Sequence, residues 1–75
     1  VIPLNELPIG QSAVVVQVDD NLRGVKKFAD LGLVPGTLLQ VEGRAPFGDL
    51  LRIKVMGSSL SLRSRDAAFI SVKLT

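Results

Sequence analysis

The sequence predicts a mainly β protein, a small five-stranded barrel with one short α-helix between the first two strands. Three observations carry that expectation. Apolar residues alternate with polar ones in five separate stretches, the period of a half-buried strand. One stretch alone repeats its apolar residues three or four apart, as a helix does. Gly and Pro fall at the joints between these patterns, where turns require them.

The first strand covers residues 12–18, where Val14, Val16 and Val18 alternate with Val15 and Gln17 in a β-branched run that follows Gly10. The helix comes next. Asn21 is its expected N-cap, Leu22, Val25, Phe28 and Ala29 share one face, and Arg23, Lys26, Lys27 and Asp30 point the other way. Gly32 supplies the left-handed residue of a Schellman cap, which folds Leu33 back on Phe28, and Pro35 prevents the helix from resuming. The helix so bounded has about ten residues.

Val34-Pro35-Gly36-Thr37 places Pro and Gly where a type II turn needs them, and it launches the second strand, in which Leu39 and Val41 alternate with Gln40 and Glu42. Leu51, Ile53 and Val55 against Arg52 and Lys54 form the third. Leu60 and Leu62 form a short fourth. Ile70, Val72 and Leu74 against Ser71 and Lys73 form the fifth. Gly48-Asp49 and Gly57-Ser58 mark two hairpin connections, and Ser64-Arg65-Asp66-Ala67 reads as one helical turn capped by Ser64. Five short antiparallel strands cannot cover both faces of a flat sheet, so they are expected to curl into a barrel that resembles the Src-homology-3-like architecture.

Composition narrows the function classes. A chain of 75 residues has room for one domain, taken here as residues 1–75, and its 47% hydrophobic content suffices to close a core. With no Cys and no His, it has no disulfide, no zinc site of the ordinary kind and no iron–sulfur or haem ligand set, so neither a cofactor nor a metal is expected. No stretch approaches the ~20 apolar residues of a membrane span, and the opening residues lack the basic and apolar regions of a signal peptide. A soluble, cytoplasmic protein is expected. A formal charge of +2, with the basic residues scattered, is slight for a nucleic-acid binder.

At Leu31-Gly32-Leu33-Val34-Pro35-Gly36 the chain resembles the Leu-Gly-x-x-Pro-Gly signature of the FeoA family. Arg44-Ala45-Pro46-Phe47-Gly48-Asp49 is similar to that family's Ala-Pro-x-Gly-Asp loop, and Leu60-Ser61-Leu62-Arg63 with Ala67, Ala68, Ile70 and Val72 resembles its closing strands. Leu4-Asn5-Glu6-Leu7-Pro8-Ile9-Gly10 resembles its opening. The resemblance implies a cytoplasmic, non-enzymatic accessory protein of bacterial ferrous iron transport that acts with FeoB, the membrane transporter carrying a GTPase domain. The same fold also occurs as the C-terminal module of metal-dependent transcriptional repressors, which is the alternative reading. The family brings no catalytic site, and Gly32, Pro35, Gly36, Gly48 and Gly57 have turn and cap roles that need no functional explanation.

The remaining motifs are weighed against plainer readings. Asp19-Asp20-Asn21-Leu22-Arg23-Gly24 echoes a calcium loop, but Arg23 stands at a ligand position and Lys26 and Lys27 follow, so a polar loop before a helix is the better reading. No serine sits in a nucleophile elbow, and no catalytic residue is expected. Arg23, Arg44 and Arg65 could each stabilise a partner's phosphoryl transfer, although a solvated surface charge explains any one of them. Without Tyr or Trp, a groove for proline-rich peptides is not expected. Partner contact is expected at Arg23, Lys26 and Lys27 on the outer helix face, at Leu33 and Val34 beyond the cap if the barrel leaves them open, and at Phe47 on a loop tip.

Overall fold

The structure, a computed structural model, describes residues 1–45 and 49–75. Among these residues six strands, not five, make one antiparallel sheet: β1 (Ile2–Pro3), β2 (Ser12–Val18), β3 (Leu38–Arg44), β4 (Leu50–Val55), β5 (Ser58–Arg63) and β6 (Ile70–Leu74), in the spatial order β1-β6-β2-β3-β4-β5. Helix α1 (Val25–Asp30) lies between β2 and β3, a turn of 3-10 helix (Leu4–Glu6) follows β1, and α2 (Ser64–Ala67) joins β5 to β6. The helix therefore connects the second and third strands and not the first two. The extra strand has a simple origin. Two residues, one of them Pro3, show no alternation, and they become a strand only because β6 offers an edge, with Ile2 opposite Val72 and Pro3 opposite Ser71.

A flat sheet is about 10 Å thick, whereas the smallest extent of this molecule is 23 Å against 28 and 26 Å for the others. The sheet wraps. Bulges help it do so, one in β2 between Val15 and Gln17 and one in β3 between Val41 and Gly43. The inward face carries Ala13 and Val15 of β2, Leu39 and Val41 of β3, Leu51, Ile53 and Val55 of β4, Leu62 of β5, and Ile70 and Val72 of β6, all buried. Leu4 and Leu7 from the 3-10 turn, Leu22 and Leu33 from either side of α1, and Ala67 of α2 complete the core. No polar or charged side chain is buried among the described residues. The inward set of β2 differs from the predicted one: Val15 faces in and Val16 faces solvent, because an uninterrupted valine run gives no polar residue to mark the outer face.

Helix α1 is shorter than expected, and Asn21 does not cap it. The side chain of Asp19 turns the preceding loop instead, accepting the N–H of Asn21 at 2.8 Å, and the N–H of Leu22 donates to the Asp19 carbonyl. Gly24, at φ +76°, stands in the cap position in a left-handed conformation that a helix cannot include. The other end is as predicted. The N–H of Leu33 donates to the Phe28 carbonyl and that of Gly32 to the Ala29 carbonyl, each at 3.0 Å, with Gly32 at φ +99°: a Schellman cap. At Val34–Thr37 the N–H of Thr37 closes the turn onto the Val34 carbonyl, and Gly36 has φ +93°. The β4–β5 hairpin turns on Met56 and Gly57, both left-handed as in a type I′ turn, one residue earlier than Gly57-Ser58. Helix α2 begins at Ser64 with Arg63 in the cap position, so Ser64 is its first residue and not its cap.

Candidate functional site

The long connection between β2 and β3 positions most of the predicted contact residues. It is fastened at both ends, because Leu22 and Leu33 reach the core, with Val25 and Phe28 half-buried against it. A helix held on that side must turn its other side to solvent, and Lys26 and Lys27 are exposed there; Arg23, also exposed, is a correction, since α1 starts only after Gly24 and leaves it in the preceding loop. Val34 is 39% exposed at the end of the same connection. Leu33 is a correction: at 1% exposure it belongs to the core, since the Schellman cap drives the residue after Gly32 inward. Phe47 lies outside the described residues.

The structure adds apolar neighbours that sequence reasoning missed. Leu38 at the start of β3 is 60% exposed and Met56 in the β4–β5 turn is 76% exposed. Both line a cleft of about 550 Å³, with Lys54 and Gln40 at its polar side. Met56 also packs over Gly32, where a Cβ would stand 2.5 Å from its Cγ. The apolar surface therefore runs from the cap of α1 to the β3–β4 face. Leu31 and Val34, both exposed, flank the cap. Leu38 escaped notice because it opens a strand whose alternation assigns it outward, and Met56 because it falls in a turn.

Such a surface suits recognition. Apolar side chains left in water release free energy when covered, roughly 25 cal/mol per Å², and adjacent cations steer an acidic partner toward them. Among the described residues no three carboxylates converge as a metal-ligand group would, and no helix is long and apolar enough to cross a membrane.

Comparison with known proteins fits this architecture. The family model of the FeoA domain matches residues 2–74. The Fe(2+) transport protein A/Fe(2+) transporter FeoB fusion protein of Porphyromonas gingivalis is 40% identical over 73 residues, 95% of this chain, and the chain spans only 8% of that relative's length. Among solved structures, an FeoA-like protein of Clostridium acetobutylicum superposes with a TM-score of 0.85 at 37% identity, covering 97% of this chain and 85% of that one. The FeoA of Stenotrophomonas maltophilia, complexed with zinc and described as a procaryotic SH3 domain protein, superposes with a TM-score of 0.82 at 28% identity, covering 97% and 91%. A manganese-dependent transcriptional repressor, 22% identical over 97% of this chain and 41% of its own, shares the fold alone, with a TM-score of 0.85. With the family model spanning almost its whole length and the SH3-like sheet in agreement, the chain belongs to the FeoA domain family.

Proposed function

We propose that this chain is a non-enzymatic, cytoplasmic accessory protein of bacterial ferrous iron transport that binds the cytoplasmic part of FeoB and modulates its assembly or GTPase cycle. The observation that carries the reading is the Porphyromonas gingivalis relative, in which the two proteins are one fusion. Joining two modules raises their effective concentration toward millimolar, an arrangement that is useful when they act on each other. FeoA domains are small accessory domains and not a known enzyme family, which fits a binding role. Exposed Leu38, Met56 and Val34, with exposed Lys26 and Lys27 on α1, supply surface of the right chemistry on this chain. The reading requires neither nucleic acid nor a resident cofactor.

A pull-down tests it. The full chain should retain the cytoplasmic part of FeoB, and the amount retained should differ between nucleotide-free and GTP-loaded transporter. Failure to retain it in either state contradicts the reading. The alternative, a module of a metal-dependent repressor, is favoured only by the shared fold. An open reading frame that joins this segment to a DNA-binding helix-turn-helix would establish it.

A further inference from the structure

The arginines of this chain divide by what their guanidinium groups touch. Arg44 donates through Nη2 to the carbonyls of Asn5 and Leu7 at 2.8 and 2.9 Å, and Arg52 lies 3.8 Å from Glu42. Those two are engaged inside the fold. Arg23, Arg63 and Arg65 have no ion pair among the described residues, and all three line one groove of about 790 Å³ together with Asn21, Asp66 and Phe69.

Three separate pieces of chain build that groove: the loop before α1, the junction of β5 with α2, and the turn into β6. Backbone hydrogen bonds tie them together. The N–H of Asp19 donates to the Phe69 carbonyl at 2.9 Å, the N–H of Phe69 to the Asp66 carbonyl at 3.1 Å, and the N–H of Ser64 to the Asp49 carbonyl. The carboxylate of Asp19 is turned into its own loop, where it accepts the N–H of Asn21. Among the described residues Asp66 is thus the one carboxylate lining the groove against three guanidinium groups. Phe69, 39% exposed, adds an apolar wall.

We propose that this groove docks an acidic segment of a protein partner, its carboxylates meeting Arg23, Arg63 and Arg65 and an apolar residue resting on Phe69. The planar fork of each guanidinium donates two parallel hydrogen bonds to a carboxylate, charge-assisted bonds that are shorter and stronger than neutral ones. Nucleic acid fits less well. It calls for a basic track along many phosphates and a series of stacking aromatics, and this groove offers three cations, one carboxylate and a single ring. The inference goes beyond the transporter reading and does not depend on it, since it concerns the chemistry of the segment, whichever protein carries it.

The test uses the full chain labelled with nitrogen-15. It is titrated with a short peptide of Asp and Glu residues around one Leu, with the same peptide carrying Asn and Gln, and with a short single-stranded DNA. The acidic peptide should move the amide signals of Asn21, Arg23 and Arg63–Phe69, and added salt should weaken it. Arg63→Gln with Arg65→Gln should weaken binding about tenfold or more, as truncation of paired charges does. Lys73→Gln, which removes a charge outside the groove lining, should change it less than about twofold. If the arginine pair fails to fold, Arg23→Gln in the preceding loop takes its place, with a several-fold loss expected. The proposal is overturned if the groove signals stay still, if the lysine variant loses as much as the arginine variant, if the Asn/Gln peptide binds equally well, or if DNA moves the groove at lower concentration than the peptide.

Discussion

Met56 sits over Gly32 so closely that a Cβ on the glycine would stand 2.5 Å from the methionine Cγ, which seats the β4–β5 turn directly on the cap of α1. Two penalties therefore meet in Gly32→Ala. The backbone at φ +99° costs an L-residue about 1–2 kcal/mol, and displacing the exposed Met56 side chain adds a smaller cost of up to about 1 kcal/mol. Urea denaturation should show a loss of about 1–3 kcal/mol. In a Met56→Ala background the loss should fall toward the backbone part alone. Equal losses in both backgrounds would mean that the turn does not press on the cap.

Met56 itself occupies a left-handed position, φ +53°, that its side chain does not favour. Asn followed by Gly is the preferred pair for this turn, so Met56→Asn should stabilise the fold by about 0.5–1 kcal/mol. The lost packing is too small to reverse the sign, because most of the side chain is already in water. The same variant removes apolar area from the proposed contact surface and should weaken binding to FeoB. A variant that melts higher and binds as wild type would separate Met56 from the interface.

Arg44 ties the 3-10 turn to β3 by its two hydrogen bonds to the carbonyls of Asn5 and Leu7. Arg44→Met keeps most of the apolar stem and loses both bonds. A loss of about 1–2 kcal/mol is expected, reduced from the full worth of charged hydrogen bonds by the exposure of the site. Thermal unfolding measures it, and an unchanged melting temperature would show that the turn is held by Leu4 and Leu7 alone.

Much of this fold was legible because five strands alternate and because Gly32, Pro35 and Gly36 each require one local conformation. What was not legible depends on partners distant in sequence. Ile2 and Pro3 are a strand only by virtue of Val72 and Ser71. Val16 reads as inward until the bulge after Val15 and the burial of Ala13 are known. Gly24 ends the loop and starts α1 late, a signal present in the sequence but outweighed there by the capping preference of Asn21. Of the proposed contact residues, Lys26 and Lys27 followed from helical period. Leu38 and Met56 did not, since nothing local says that an apolar residue outside the core has neighbours of its kind.

Charge reversal tests the basic face. Lys26→Glu with Lys27→Glu should leave the circular dichroism spectrum and melting temperature nearly unchanged, because both side chains are exposed and no ion pair engages them among the described residues. Binding to FeoB should weaken, most strongly at low salt. Wild-type affinity at low salt would remove α1 from the interface.

The proposed interface, the apolar surface at the cap of α1, is tested by adding the unlabelled cytoplasmic part of FeoB to the nitrogen-15-labelled chain and following each amide signal. Lys26, Lys27, Leu31, Val34, Leu38 and Met56 should shift or broaden together, at a transporter concentration that leaves the signals of β1 unmoved. A spectrum that stays unchanged at saturating transporter, or changes confined to residues away from this surface, would contradict it.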